Sequence, residues 1–250
     1  MCGIEQALFN ILGKKTGKNL FETLGNIENR EIYIQTTIPM EKTFELYKNR
    51  VDEIIRNYNP KFVKFKVGID LALESKIIYY LWRINNDISI SIDANQAFAN
   101  YRDALDFLDK ISNVNISWAE QLLAKDDIAG MKSLRKTTRV PLMADESLHT
   151  PLEAEYFCQN NFVDYFNIKL AKTGGILKAL EIIQVADKYD KKVMLGSMLH
   201  GKLGIEYNLG FALSQKFITN DFFSYFNVIE TKELGYISSK LSVTNKSLYR

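Results

Sequence analysis

The sequence reads as an α/β chain that closes into a parallel (β/α) barrel. Three observations predict that fold. Short β-branched or aromatic runs recur at intervals of roughly 25 residues. Segments with apolar residues at three- and four-residue spacing separate them, which is the pattern of a parallel sheet covered by helices. Eight such runs in 250 residues match the size of one closed barrel. A doubly wound open sheet is the alternative. No Gly-x-Gly-x-x-Gly follows the first strand, so that fold would lack its nucleotide site.

In chain order the predicted strands are Glu31–Ile38, Phe62–Val67, Ile88–Asp93, Ile116–Glu120, Val140–Asp145, Phe162–Lys169, Lys192–Ser197 and Phe223–Ile229. The predicted helices between them are Thr43–Ile55, Leu71–Trp82, Tyr101–Ile111, Pro151–Cys158, Ile176–Tyr189 and Leu203–Leu213. In the third, Leu105, Phe107, Leu108 and Ile111 carry the helical spacing. Met1 to Leu12 reads as an amphipathic helix. It contains Glu5 and lacks the basic leader and small-residue cleavage site of a signal peptide. Gly13, Gly17 and Gly25 mark turns after it, so residues 1–30 form a lead-in, 31–230 the barrel and 231–250 a tail.

Composition narrows the function classes. Thirty-two basic against thirty acidic residues leave a net charge of +2, which makes no electrostatic case for nucleic acid or an anionic membrane. No apolar run approaches the ~18 residues that span a bilayer. Cys2 and Cys158 are expected to be free thiols of a cytoplasmic protein.

Five successive predicted strands end in ionisable residues: Lys64 and Lys66, then Asp93, Glu120, Asp145 and Lys169. In a barrel these ends converge on the face where the loops build the active site. Three convergent carboxylates repel unless a cation sits among them. Asp93, Glu120 and Asp145 are hard oxygen ligands with no competing His or Cys, which points to Mg²⁺. A buried ion network with Lys66 and Lys169, without metal, is the alternative.

Lys64 and Lys66 flank Phe65 and so share one side of their strand. Two adjacent ammonium groups disfavour each other's protonation, so Lys64 is expected to lower the pKa of Lys66 and make it a usable base. Lys169 arrives from across the barrel mouth. Two bases facing each other across a divalent cation suit removal of a proton α to a carboxylate through an enolate, one lysine serving each face.

Taken together, Lys64-Phe65-Lys66-Val67-Gly68, Asp93-Ala94-Asn95, Glu120-Gln121, Ala144-Asp145-Glu146-Ser147, Asn167-Ile168-Lys169 and Lys172-Thr173-Gly174-Gly175 resemble the enolase superfamily. The match is to its muconate lactonizing subgroup, which Ile4-Glu5-Gln6-Ala7-Leu8-Phe9-Asn10 and Gly196-Ser197-Met198-Leu199 also resemble. The resemblance implies a (β/α)7β barrel without most of the N-terminal α+β capping domain, and a tail that would return to that domain. It implies that Lys66 and Lys169 are the acid/base pair and that Asp93, Glu120 and Asp145 bind Mg²⁺. Lys64, Thr37, Asn95, Ser197 and Met198 would contact substrate, with Glu146 at the barrel mouth.

A dipeptide epimerase is the leading expectation, acting on a dipeptide or N-acyl amino acid. An N-acylamino acid racemase, o-succinylbenzoate synthase, muconate cycloisomerase or a non-catalytic remnant are the alternatives. A homo-oligomer is compatible with such barrels. Three departures bear on specificity and integrity. The capping domain is not found, so Leu241 and Val243 of the tail are expected to lack their partner. The Asp-x-Asp that binds a dipeptide's ammonium near the eighth strand is replaced by Asn227-Val228-Ile229 or displaced to Glu230. His200 and Leu122 stand where Glu and Pro are usual.

Overall fold

The computed structural model describes residues 1–18, 24, 31–222, 235–237 and 240–242. After helix α1 (Cys2–Thr16) come β1 (Glu31–Tyr33), β2 (Gln35–Ile38), α2 (Phe44–Tyr58), β3 (Phe62–Lys66), α3 (Leu71–Ile84), β4 (Ser89–Asp93) and α4 (Tyr101–Lys110). The chain continues through β5 (Ile116–Glu120), α5 (Ile128–Thr137), β6 (Leu142–Ala144), α6 (Pro151–Gln159), β7 (Tyr165–Ile168), α7 (Leu170–Thr173), α8 (Ile176–Lys188) and β8 (Lys192–Leu195). Helix α9 (Lys202–Ser214) precedes β9 (Gly235–Ile237) and β10 (Lys240–Ser242).

Strands β2 to β8 form one parallel sheet in sequence order. The ring closes at Asn220, which bridges Ile34 on one side and Leu195 on the other. Gln35 N donates to Asn220 O at 2.8 Å and Asp221 N to Leu195 O at 2.9 Å. The predicted eighth strand, Phe223–Ile229, lies outside the described residues; the wall it was expected to supply is already present at Asn220.

Strand alternation sorts the barrel interior into layers. At the lower end Trp118, Met143 and Met194 pack with Phe62, Tyr165 and Ile218 into a small apolar cluster. Two residues further along the same strands stand Lys64, Glu120, Asp145 and Asn167, all buried. Residues of the opposite parity, such as Phe65, Ile92, Phe166 and Ile168, face the helices and join the main core. A polar mouth on an apolar plug therefore follows from period two.

Three local differences from expectation have physical causes. Glu31–Ile38 is divided between two sheets: β1 pairs antiparallel with β10, and β2 joins the barrel. Leu241, expected to lack a partner, has its backbone opposite Ile32 and Tyr236. Residue 243 lies outside the described residues. Helix α5 has no counterpart among the predicted helices, since Gly130 weakens its pattern. Asp127 caps it from below, accepting from Gly130 N at 2.8 Å, and a Cβ on Gly130 would stand 2.1 Å from Asp127 Oδ2. Cap and glycine belong together, and buried Met131 and Leu134 seat the helix.

Helix α6 carries a full capping box: Glu153 N donates to Thr150 Oγ1 at 3.2 Å, and Thr150 N to Glu153 Oε2 at 2.8 Å. Thr150→Ala is expected to cost about 1 kcal/mol, read as a lower urea midpoint with an unchanged slope. Among the described residues no helix is long and apolar enough to cross a membrane.

Candidate active site at the mouth of the barrel

Register brings the strand ends to one level. Lys66 stands opposite Asp93, and Asp93 opposite Glu120. Lys64 Nζ lies 3.3 Å from Asp93, 3.2 Å from Glu120 and 2.5 Å from Asp221. Lys66 Nζ lies 2.6 Å from Asp93 Oδ2 and donates to Asn95 Oδ1 at 2.5 Å. On the far side Lys169 Nζ lies 2.6 Å from Asp145 Oδ2, and Lys172 Nζ 2.5 Å from Asp145 Oδ1. Lys172 also donates to the main-chain oxygens of Asp145 and Asn167.

The charges in this network are not equally comfortable. Burial opposes the ammonium of Lys64, yet Asp221, Glu120 and Asp93 outweigh it and hold that group well above the ordinary lysine value. Its state is set by carboxylates rather than by the neighbouring lysine. Burial likewise opposes Lys169, but Asp145 and Glu120 raise it; Lys172 is pulled down because its burial prevails. Asp145 stays below the usual carboxylate range, since Lys172 and Lys169 overcome its burial. Glu120 goes the other way. Burial, with Asp93 and Asp145 adding to it, pushes its carboxyl up to about 8 in spite of Lys64.

Neighbouring groups fix these positions. Asn167 Nδ2 donates to Glu120 Oε1 at 2.6 Å, and a Cβ on Gly196 would stand 2.2 Å from Asn167 Oδ1, so only glycine leaves it room. Gln121 Oε1 accepts from Asp145 N and Ser147 N at 2.9 and 3.1 Å, tying the end of β5 to the turn after β6. Asn95, Gln96 and Gln121, at the ends of β4 and β5, have φ of 43°, 69° and 35°. Such backbone is uncommon and gathers where a fold over-determines its geometry.

Of the residues expected at substrate, Thr37 Oγ1 donates to Asp221 Oδ1 at 3.3 Å and Ser197 Oγ to Asp221 O at 2.8 Å. Asn95 links Lys66 to Glu146 Oε1, at 2.9 Å from the latter. Met198 is 48% exposed on the loop after β8, outside this network. Residues 227–230 lie outside the described residues. Sequence reading missed Asp221, whose signal was its place at the end of the short β-branched run Ile218-Thr219, the same strand-end rule that found the others. It also gave no role to Lys172, Asn167 or Gln121.

Among the described residues no three acidic, cysteine or histidine side chains already converge as a metal cage, because each carboxylate is turned to an ammonium. The donor chemistry nevertheless fits a hard divalent cation. Asp93, Glu120 and Asp145 are buried, offer oxygen alone and repel one another, most visibly at Glu120.

Residues 47–242 match the family described as Enolase C-terminal domain-like. Over 219 residues the chain is 32% identical to the L-Ala-D/L-Glu epimerase of Clostridium acetobutylicum, covering 86% of this chain and 60% of that protein. Over 218 residues it is 30% identical to the N-succinyl-L-Arg/Lys racemase of Bacillus cereus, covering 87% and 58% respectively. The chain thus spans less than two thirds of the length of these curated relatives. The crystal structure of a dipeptide epimerase from Cytophaga hutchinsonii, complexed with Mg and the dipeptide D-Ala-L-Val, superposes with a TM-score of 0.79 at 28% identity. That match covers 86% of this chain and 58% of the other.

Proposed function

This chain belongs to the Enolase C-terminal domain-like family, and from that premise we propose that it is a Mg²⁺-dependent epimerase that moves the proton α to a substrate carboxylate, acting on dipeptides. The observation that carries this reading is the opposition of two lysines. Lys66 stands on the second wall of an eight-walled ring and Lys169 on the sixth, half a turn apart, each 2.6 Å from a different buried carboxylate.

In this reading Asp93, Glu120 and Asp145 would hold Mg²⁺. Bound there, Mg²⁺ would supply the positive charge that stabilises the anion developing as the α-proton leaves. Lys66 and Lys169 take and return the proton on opposite faces of the α-carbon. Lys64 is assigned to the substrate carboxylate, with Thr37, Asn95 and Ser197 at the mouth and Met198 on the loop after β8 as further substrate contacts. Both cysteines are free thiols, consistent with a cytoplasmic setting.

Asp221 bears on the choice of substrate. Its carboxylate is 18% exposed at the mouth, beside the hydroxyl of Thr37. A carboxylate there would pair with the ammonium of a dipeptide and repel the anionic acyl group of an N-succinyl amino acid. The B. cereus relative keeps the latter substrate class as the second reading. Proton NMR in D₂O with Mg²⁺ tests both. Loss of the α-proton signal of the C-terminal residue in L,L-dipeptides, abolished by chelator, is the expected result. Exchange of N-succinyl amino acids alone would favour the second reading, and no exchange from a demonstrably folded chain would favour a non-catalytic one. Asp221→Asn is expected to lower kcat/KM for dipeptides about tenfold or more, mainly through KM. An unchanged KM would remove Asp221 from the ammonium site.

A further inference from the structure

Glu5 lies far from the barrel mouth in sequence, yet it ends at the start of α8, four residues beyond Lys172. Its Oε2 accepts from Ile176 N and, at 2.6 Å, from the Tyr207 hydroxyl of α9; its Oε1 accepts from Leu177 N at 3.1 Å. Helix α8 begins after Gly175, which has no side chain to cap it. Glu5 supplies that cap from another helix, placing a negative charge where the first turn presents free N–H groups. Gly175 has φ 141°, and a Cβ there would stand 2.0 Å from Glu5 Oε2. The Gly174-Gly175 pair and Glu5 therefore fit as one device.

The stretch between Lys169 and this clamp is short and stapled throughout. Lys172 N and Thr173 N both donate to Lys169 O, at 2.8 and 3.1 Å. Thr173 Oγ1 donates to Gly175 O at 3.0 Å. A shift at the start of α8 is thus transmitted to the turn from which Lys169 and Lys172 reach Asp145. The Lys66 side is built differently. There Glu74, from within α3, accepts from Gly68, Ile69 and Asp70 N at 2.9, 3.0 and 3.0 Å and holds the turn after β3. Each lysine's turn is steadied by a buried or half-buried carboxylate, Glu74 of α3 on the Lys66 side and Glu5 of α1 on the Lys169 side.

We infer that Glu5 is a positioning residue for Lys169 and Lys172, so that α1 governs one of the two bases and leaves the other alone. This rests on the two-base reading above. Glu5→Ala is expected to slow α-proton exchange by about tenfold to a hundredfold with the enantiomer that Lys169→Ala abolishes, while exchange of the other stays within about twofold. Glu5→Gln keeps one acceptor oxygen, enough for one of the two α8 amides, and should restore part of the loss. Amide hydrogen exchange gives a readout without turnover: Lys172, Thr173, Ile176 and Leu177 should exchange faster in Glu5→Ala, with Gly68 to Asp70 unchanged. Equal loss on both enantiomers, no loss, or unchanged amide exchange would overturn the inference. If Glu5→Ala does not fold, Tyr207→Phe removes one hydrogen bond to Glu5 and carries the same test at smaller amplitude. A parent chain that exchanges neither enantiomer overturns the two-base reading instead, and the amide pattern then decides the role of Glu5 alone.

Discussion

Lys169→Ala is expected to abolish α-proton exchange with one enantiomer of the substrate, and Lys66→Ala with the other, each by about a hundredfold to ten-thousandfold. The geometry makes the two losses separable. The lysines stand half a turn apart around the ring and share no carboxylate: Lys66 pairs with Asp93 and Lys169 with Asp145. Each carboxylate also keeps a second ammonium when its first is removed, Lys64 for Asp93 at 3.3 Å and Lys172 for Asp145 at 2.5 Å. Neither variant therefore buries a lone charge, and both are expected to fold. Solvent-exchange NMR on each pure enantiomer checks the outcome. If either variant exchanges both enantiomers at the parent rate, that lysine is not a base.

Replacement of the buried carboxylates is expected to have the second large effect, with opposite signs on stability. Asp145→Asn should weaken Mg²⁺ binding and also destabilise the metal-free chain by about 3–5 kcal/mol, since Lys169 and Lys172 lose their common counter-charge. Glu120→Gln should weaken Mg²⁺ binding as well, but leave the metal-free chain at least as stable. The sign follows from linkage. Glu120's carboxyl is pushed up to about 8 by burial and its acidic neighbours. A carboxyl whose folded pKa exceeds its unfolded value of about 4.3 loses stability as pH rises between the two, so at pH 7 its charge contributes nothing favourable. Saturating Mg²⁺ should flatten that loss in the parent chain. Calorimetric Mg²⁺ titration and urea unfolding at pH 5 and pH 8 measure both terms. A titration identical to the parent's would remove the altered residue from the ligand set.

Period-two alternation made the centre of the candidate site legible before any coordinates. Lys64 and Lys66, Asp93, Glu120 and Asp145 sit at the ends of recognisable short strands, and a parallel barrel gathers such ends on one face. The ordered series also carried the family, which the match over residues 47–242 shows. Helix α5 escaped because its Gly130 is explained only by the Asp127 cap that occupies its Cβ position. The division of Glu31–Ile38 escaped because a strand's partner is chosen by what lies beside it, and for β1 that is β10, far along the chain.

What the sequence by itself determined is which residue types reach the mouth, because side-chain direction repeats along a strand with a local period. What only the tertiary structure decided is who pairs with whom. Asp221 meets Lys64 across 157 residues, and Glu5 meets Ile176 across 171. Those contacts set which ammonium is held charged and which helix steadies the turn of Lys169. Burial and Coulomb energy depend on distances in space, and a linear pattern does not encode those distances.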